Sequence, residues 1–233
     1  MTTLADPFPY MGPPADVAAL AKVGKAVRAR LAADPMVWHA PTPNAEVAIV
    51  SDFLSADECA RVMTMVDAVA EPSATYEAND DRSIRSSYSG DVDRYDPFVM
   101  MIERRIDDLM GIPSSWGETM QGQRYTPGQQ FKAHYDWFAT HIKYWKGEKE
   151  KGGQRSWTAM IYLNDVEEGG QTVFERIGLN ATPKQGMLLM WNNANEDGTP
   201  NHHVLHAALP VVQGVKYVIT KWYRSRPWGG LTE

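Results

Sequence analysis

Apolar residues recur at helical spacing in the first half of the chain and at strand spacing in the second. Val17, Leu20, Val23, Val27 and Leu31 fall on one face of a helix that Asp16 is placed to cap. Gly24 weakens that helix, because glycine gives up more backbone entropy than alanine. Ser55 and Glu58 form an S-x-x-E capping box, after which Cys59, Val62, Met63, Val66 and Val69 repeat the helical pattern. A third helix starts at Asp96-Pro97, carries Phe98, Met101, Ile102, Ile106 and Leu109 as its apolar stripe, and stops at Gly111 and Pro113. Residues 1–14 are rich in proline and are expected to be irregular.

From residue 117 the period shortens to two. WTAMIYLN, QTVF, GMLLMW, HHVLHAAL and VKYVITKWYR are β-rich runs bounded by Gly, Pro, Asn and Asp. Strands without intervening helices predict antiparallel sheets, and the fold class is α+β, mainly β. In the last strand Lys216, Val218, Thr220 and Trp222 share one face and alternate with Tyr217, Ile219, Lys221 and Tyr223. A lysine aimed into a packed interior is costly unless a counter-charge meets it. The long polar segments 71–95 and 139–154 have the length of lids or binding loops.

Composition narrows the function classes. The formal net charge is −6, which argues against general affinity for nucleic acid. Lys143, Lys146, Lys149 and Lys151 make a local basic cluster, but Glu148 and Glu150 interrupt it, as in a solvated loop. With Cys59 as the one cysteine, an intramolecular disulfide and a cysteine zinc site are both excluded. Its place in a helical stripe makes it a small buried apolar residue. No run approaches the ~20 apolar residues of a membrane helix. The N-terminus lacks the basic and apolar regions of a secretory signal, so no membrane partner is expected.

The candidate chemistry lies in HYD, residues 134–136, and in a histidine cluster some seventy residues on. Residues i and i+2 of a strand point to the same side, so His134 and Asp136 can chelate one ion together. Two imidazoles and a carboxylate are a ligand set for non-haem Fe(II), leaving open positions for O2 and a cosubstrate. The third ligand must come from another strand. His202 and His206 share parity, so spacing alone does not choose between them. His39 follows Trp38 in a proline-rich stretch and reads as structural; His141 sits in a charged loop and reads as solvated.

YTPGQQFKAHYDWF (125–138), GGQRSWTAMIYLNDVEEGGQTVF (152–174) and HAALPVVQGVKYVITKW (206–222) resemble the 2-oxoglutarate- and Fe(II)-dependent dioxygenases, within them the prolyl 4-hydroxylase branch. The resemblance covers roughly residues 46–226 and rests on four parts: H-x-D, the Y-L-N strand with GG-x-T-x-F, the distal histidine, and a lysine ten residues beyond it. It implies a double-stranded β-helix, or jelly roll, in a single domain spanning 1–233, with residues 1–45 as an N-terminal helical extension. The HAxxPV context assigns His206 as the distal ligand beside His134 and Asp136. A halogenating relative would lack the aspartate.

The same resemblance gives the cosubstrate pocket. Lys216 occupies the position that pairs with the far carboxylate of 2-oxoglutarate, which would be its counter-charge. Tyr125 and Tyr162 fall where the family places pocket tyrosines, and Thr220 follows Lys216 on its face. The ordinary alternative is a core aromatic with its hydroxyl satisfied nearby for each tyrosine, and plain strand propensity for Thr220. Arg155 sits where an arginine meets a substrate backbone carbonyl, and Trp222 matches a pocket-lining tryptophan, though packing alone would also account for it. Arg85, Ser86 and Ser87 resemble an R-x-S segment near the peptide groove, but their residue types read as a short polar strand edge, and that reading is preferred. Trp137, Tyr144 and Trp145 follow the iron pair and either clamp substrate or cover core.

The implied reaction is oxidative decarboxylation of 2-oxoglutarate coupled to hydroxylation of an unactivated C–H, releasing succinate and CO2, with ascorbate as reductant. A proline-containing peptide or protein is the expected substrate. A free amino acid or other small molecule is the second reading, and a non-catalytic jelly-roll binding module the third. The intact triad and Lys216 argue against the third. A cytoplasmic location is expected, since a reducing compartment preserves Fe(II). The oligomeric state is not fixed by the sequence, with which a homodimer is compatible.

Overall fold

Ser55 starts the best-marked helix as predicted. Its hydroxyl accepts from the Glu58 amide at 3.2 Å, and the Glu58 carboxylate accepts from the Ser55 amide at 2.8 Å. Both donors would otherwise be orphaned at the helix end. Ser55→Ala is expected to cost about 1 kcal/mol of stability, readable as a shift of the urea midpoint at unchanged slope.

The computed structural model describes residues 11–73 and 84–230. Its helices are α1 (Val17–Ala33), α2 (Ala56–Val69), α3 (Pro97–Met110) and the short α4 (Trp145–Glu150). The strands before the metal-pair sequence are β1 (Trp38–His39), β2 (Val47–Val50), β3 (Glu71–Pro72), β4 (Tyr88–Asp91) and β5 (Gln121–Tyr125). Next come β6 (Phe131–His134), β7 (Arg155–Tyr162), β8 (Glu168–Gly169), β9 (Thr172–Phe174) and β10 (Leu179–Ala181). The last four are β11 (Leu188–Asn192), β12 (His206–Ala208), β13 (Val211–Gln213) and β14 (Lys216–Arg224).

Three antiparallel sheets result among the described residues. The largest has the order β1-β2-β11-β7-β14-β5-β4-β3; a smaller one is β10-β9-β12-β6, and the third pairs β13 with β8. Strand alternation divides two cores. Trp157, Ala159, Ile161, Leu188, Met190, Ile219 and Tyr223 pack with the helices. Met160, Tyr162, Leu189, Trp191 and Val218 meet Phe174 and Ala181 of the smaller sheet. Lys216, Val218 and Thr220 are all buried, as the predicted face of β14 requires. The pairing of β8 with β13 also explains a glycine. Gly169 has φ +81°, and a side chain there would meet the Pro210 carbonyl at 2.3 Å.

Several expectations need correction. Asp16 precedes α1 but makes no side-chain cap. Instead its carboxylate accepts from the Gln154 amide and the Ser225 hydroxyl and pairs with Arg226, tying the helix to the ends of β7 and β14. The buried stripe of α3 is Val99, Ile102, Glu103, Ile106, Asp107 and Met110, while Met101 is exposed. The two acids face buried Lys221, at 3.3 Å from Glu103 and 3.1 Å from Asp107. HHVLHAAL is not one strand: His202–Val204 is a turn of 3-10 helix, and β12 begins at His206. Segment 71–95 contains β3 and β4, and 74–83 lies outside the described residues, as do 1–10 of the proline-rich start. Segment 139–154 contains α4 and is fastened by the buried Gln154, whose side chain bonds both the amide and the carbonyl of Phe138. Lys143, Lys146, Lys149, Lys151 and Glu150 are exposed as expected, but the solvated-loop reading fails for the rest: Trp145–Glu150 is helical, and Glu148 is buried.

Candidate active site

β6 delivers His134 to one end of the space between the sheets, and β12 lays His206 directly opposite it in register. The strand ends there. Asp136 is not on it but in the bend that follows, so the expected strand geometry holds for one residue of the pair only. The bend nevertheless returns the carboxylate to the histidines: Asp136 Oδ1 lies 3.9 Å from His134 Nε2 and 4.0 Å from His206 Nε2. Ligand atoms of all three lie within 4.8 Å of one another. His202 is not among them; its ring packs edge-on against Tyr135 and Trp137.

Local bonds orient each donor. His134 Nδ1 lies 2.8 Å from the Lys132 carbonyl, and His206 Nδ1 lies 3.0 Å from the Val204 carbonyl. Each carbonyl fixes the proton on Nδ1 and leaves the Nε2 lone pair for a ligand role. The rings are held by packing. His134 stacks on Phe131 with centroids 3.6 Å apart, and His206 lies against Trp191 and Phe174. Burial, with His206 beside it, pulls the His134 imidazole down to about 3, so it stays neutral. Burial works against ionisation of Asp136, but His206, His134, Arg155 and the Thr158 hydroxyl outweigh it and hold the carboxyl below its ordinary range.

Two positioning residues were not singled out in the sequence. Thr158 donates from Oγ1 to Asp136 Oδ2 at 2.6 Å, and Asn193 Nδ2 donates to Thr158 Oγ1 at 3.0 Å. Thr158 shares the parity of Tyr162 on β7, which was the available signal. With Oδ2 engaged, Oδ1 is the atom turned to the histidines. A set of two imidazole nitrogens and one carboxylate oxygen, oriented in this way, fits Fe(II).

The expected cosubstrate residues gather along β14 and its neighbours. Lys216 is 1% exposed and lies in register opposite Tyr125. Its Nζ lies 5.2 Å from the Tyr125 ring and 5.4 Å from the Tyr162 ring. Among the described residues it forms no ion pair, and burial alone lowers it to about 7. Both tyrosine hydroxyls have protein partners. Tyr125 donates to Gln123 Oε1 at 3.0 Å, and Tyr162 donates to Thr172 Oγ1 at 2.6 Å. Burial raises the pKa of each. Thr220 Oγ1 accepts from Gln123 Nε2 at 3.3 Å. The pocket therefore offers one buried amine walled by aromatic faces.

On the other side stand the arginines. Arg155 is held in place: its fork grips Glu118, with Nε–Oε1 at 2.7 Å and Nη2–Oε2 at 2.8 Å. Its guanidinium lies 4.2 Å over the Trp222 ring, and Nη1 reaches the Asp136 carbonyl at 3.4 Å. Arg85 overturns the polar-edge reading. It is 9% exposed, lies over the Phe131 ring, and donates to Ser87 Oγ and Gln121 Oε1. Among the described residues no carboxylate pairs with it, and burial lowers its pKa. Trp137 is buried against Tyr135 and Leu205, which makes it core. Tyr144 accepts from the Ala139 amide and packs edge-on to Phe138. His39 lies 3.4 Å from the Leu31 carbonyl, in keeping with a structural role, and His141 is exposed.

Comparison with known proteins agrees with this geometry. Residues 120–224 match the model of the 2OG-Fe(II) oxygenase superfamily. The chain is 32% identical over 199 residues to probable prolyl 4-hydroxylase 3 of Arabidopsis thaliana, covering 75% of this chain and 67% of that one. It is 38% identical over 135 residues to prolyl 4-hydroxylase subunit alpha-1 of Homo sapiens, covering 56% of this chain and 24% of the relative. Two solved structures share the fold. The viral collagen prolyl hydroxylase of Paramecium bursaria Chlorella virus-1, in its 2-oxoglutarate complex, superposes with a TM-score of 0.59 at 24% identity, covering 76% of this chain and 94% of that one. The Trichoplax adhaerens prolyl hydroxylase, in complex with a hypoxia inducible factor peptide fragment, gives 0.59 at 15% identity, covering 90% and 92%. These likenesses bear out the expected jelly roll within an α+β, mainly β class. The chain belongs to the 2-oxoglutarate- and Fe(II)-dependent oxygenase superfamily, in its prolyl 4-hydroxylase-like branch.

Proposed function

We propose that this dioxygenase hydroxylates prolyl residues in a peptide or protein. The observation that carries the reading is the pairing of two features in one interior: the His134, Asp136 and His206 cluster, and the buried amine of Lys216. The names of the curated relatives support prolyl chemistry, and the peptide held by the Trichoplax neighbour supports a polypeptide substrate.

When bound, Fe(II) supplies the coupling of 2-oxoglutarate decarboxylation to C–H hydroxylation, with one atom of O2 going to the substrate and the other to succinate. The protein supplies placement and charge. His134 and His206 present Nε2, and Asp136 presents Oδ1, to a single point. Thr158 and Asn193 keep the carboxylate from rotating away. Lys216 holds the far carboxylate of 2-oxoglutarate, and the rings of Tyr125 and Tyr162 exclude water from that contact. Trp222, Arg155 and Arg85 line the substrate side, where aromatic and guanidinium surfaces suit a prolyl ring and the peptide carbonyls beside it. Ascorbate serves as reductant for uncoupled cycles. The reducing cytoplasm is the proposed location.

The purified protein with Fe(II), 2-oxoglutarate and ascorbate should release succinate slowly, and a proline-containing peptide should accelerate that release. Mass spectrometry should find the peptide heavier by one oxygen atom. Acceleration by a free amino acid or metabolite, with proline peptides inert, would overturn the prolyl assignment and keep the oxygenase.

A further inference from the structure

We propose that Glu148 is a positioning residue for Arg155, acting through Arg224 and Glu118. The proposal rests on the reading of Arg155 as a substrate contact. It concerns the short helix α4, to which the chemistry described so far gives no role.

Four charged side chains alternate in sign from α4 to the metal-site bend. Glu148 accepts from Arg224 Nη2. The other side of the same guanidinium meets Glu118, with Arg224 Nε 2.5 Å from Oε1. Glu118 in turn receives the fork of Arg155, whose remaining nitrogen reaches the Asp136 carbonyl. All four residues are buried, at 8% exposure for Glu148 and Glu118, 9% for Arg155 and 1% for Arg224. The Phe138 ring lies over both guanidiniums, 4.8 Å from Arg155 and 4.5 Å from Arg224, so water is kept from the line.

Charge balance gives Glu148 its role. With it, two guanidiniums face two carboxylates. Without it, Arg224 loses its outer carboxylate, and Glu118 is the one member of the row left to accept from both guanidiniums. Arg224 cannot leave, because Nη1 donates to the Gly153 carbonyl at 2.6 Å. Glu118 is then drawn towards Arg224, and the fork of Arg155 loses its fixed partner. Glu148 thus sets the orientation of a side chain it does not touch. Lys146, Lys149 and Glu150 on the same helix are exposed, so α4 turns Glu148 alone of its charged side chains inwards.

The test compares Glu148→Gln with wild type under saturating Fe(II). The expected result is a rise of about tenfold in KM for a proline-containing peptide, with kcat and the KM for 2-oxoglutarate within about twofold, since residues in one salt-bridge network are energetically coupled. A lowered melting temperature with an unchanged peptide KM would mean that Glu148 only stabilises the fold, and would overturn the proposal. If Glu148→Gln does not fold, Arg224→Lys takes its place: it keeps the charge, removes the fork, and is judged by the same KM. A second readout needs no substrate. The Arg155 Nε–H resonance in a 15N spectrum, assigned by its loss in Arg155→Lys, should shift and broaden in Glu148→Gln. An unmoved resonance refutes the relay whatever the substrate is. A moved resonance in a protein that hydroxylates no proline peptide supports the relay and removes the prolyl reading instead.

Discussion

Asp136→Ala should abolish both Fe(II) binding and 2-oxoglutarate turnover, and His134→Ala should do the same. Each substitution removes a donor atom from a set of three that converges on one point. The loss should far exceed the ~10–100-fold that follows removal of an outer partner of a metal ligand. Thr158→Val supplies that comparison, because it deletes the 2.6 Å bond to Asp136 Oδ2 and leaves every donor in place. Anaerobic calorimetric titration with Fe(II) measures binding directly and does not depend on finding the substrate. His202→Ala and His206→Ala form the companion pair, and only the second should lose iron, since His202 packs on Tyr135 and Trp137 away from the donor set. Unchanged iron stoichiometry in Asp136→Ala and His134→Ala would remove the metal assignment altogether. Iron loss in His202→Ala alone would transfer the third ligand.

These residues were legible from the sequence because their signals are local. H-x-D lies in a tripeptide, and the alternation that buries Lys216 and Thr220 runs within one strand. The end of a strand is less legible. Period two placed His134 and Asp136 on one strand, yet β6 stops at His134, and what brings Asp136 back is a bend and the Thr158 bond from another sheet. The histidine cluster misled in the same way. HHVLHAAL reads as one β-run, but Asn201 accepts from the His203 amide and starts a 3-10 turn that separates His202 from β12.

Buried charge was the least legible feature. Glu103 and Asp107 have the composition of a solvent face, so the apolar pattern finds Ile102 and Ile106 of the α3 stripe but misses the two acids and counts the exposed Met101 as inside. Their burial depends on Lys221, which comes from the last strand, and the burial of Lys221 depends on them. No local window contains both halves of such a pair. Arg85 and Glu118 were obscured for the same reason. Each lies in an unpatterned polar stretch, and each finds its partners on strands far away in sequence. The capping box, by contrast, is complete within four residues, and it formed as read.

Lys216→Ala should weaken 2-oxoglutarate by about two to three orders of magnitude, the equivalent of ~3–5 kcal/mol for breaking a buried charge pair at ~1.4 kcal/mol per decade. Iron binding should hardly change, because Lys216 is not among the donors. Lys216→Arg should recover part of the affinity, limited by fitting a planar head between the Tyr125 and Tyr162 rings. The same lysine predicts a pH dependence. Burial lowers it to about 7, whereas the unfolded chain keeps that proton to about 10.4. Between those values the unfolded state binds more protons, so the ligand-free protein should gain stability from this group as pH rises from about 7 towards 10. Binding of 2-oxoglutarate should show the opposite trend. Above about pH 7 the lysine must take up a proton to meet the dicarboxylate, and affinity should fall by up to about tenfold per unit. Anaerobic binding isotherms at several pH values, for wild type and Lys216→Ala, read both effects, and the pH slope should vanish in the variant. An affinity that is unchanged in Lys216→Ala would mean that the cosubstrate carboxylate lies elsewhere and that the buried lysine serves another partner.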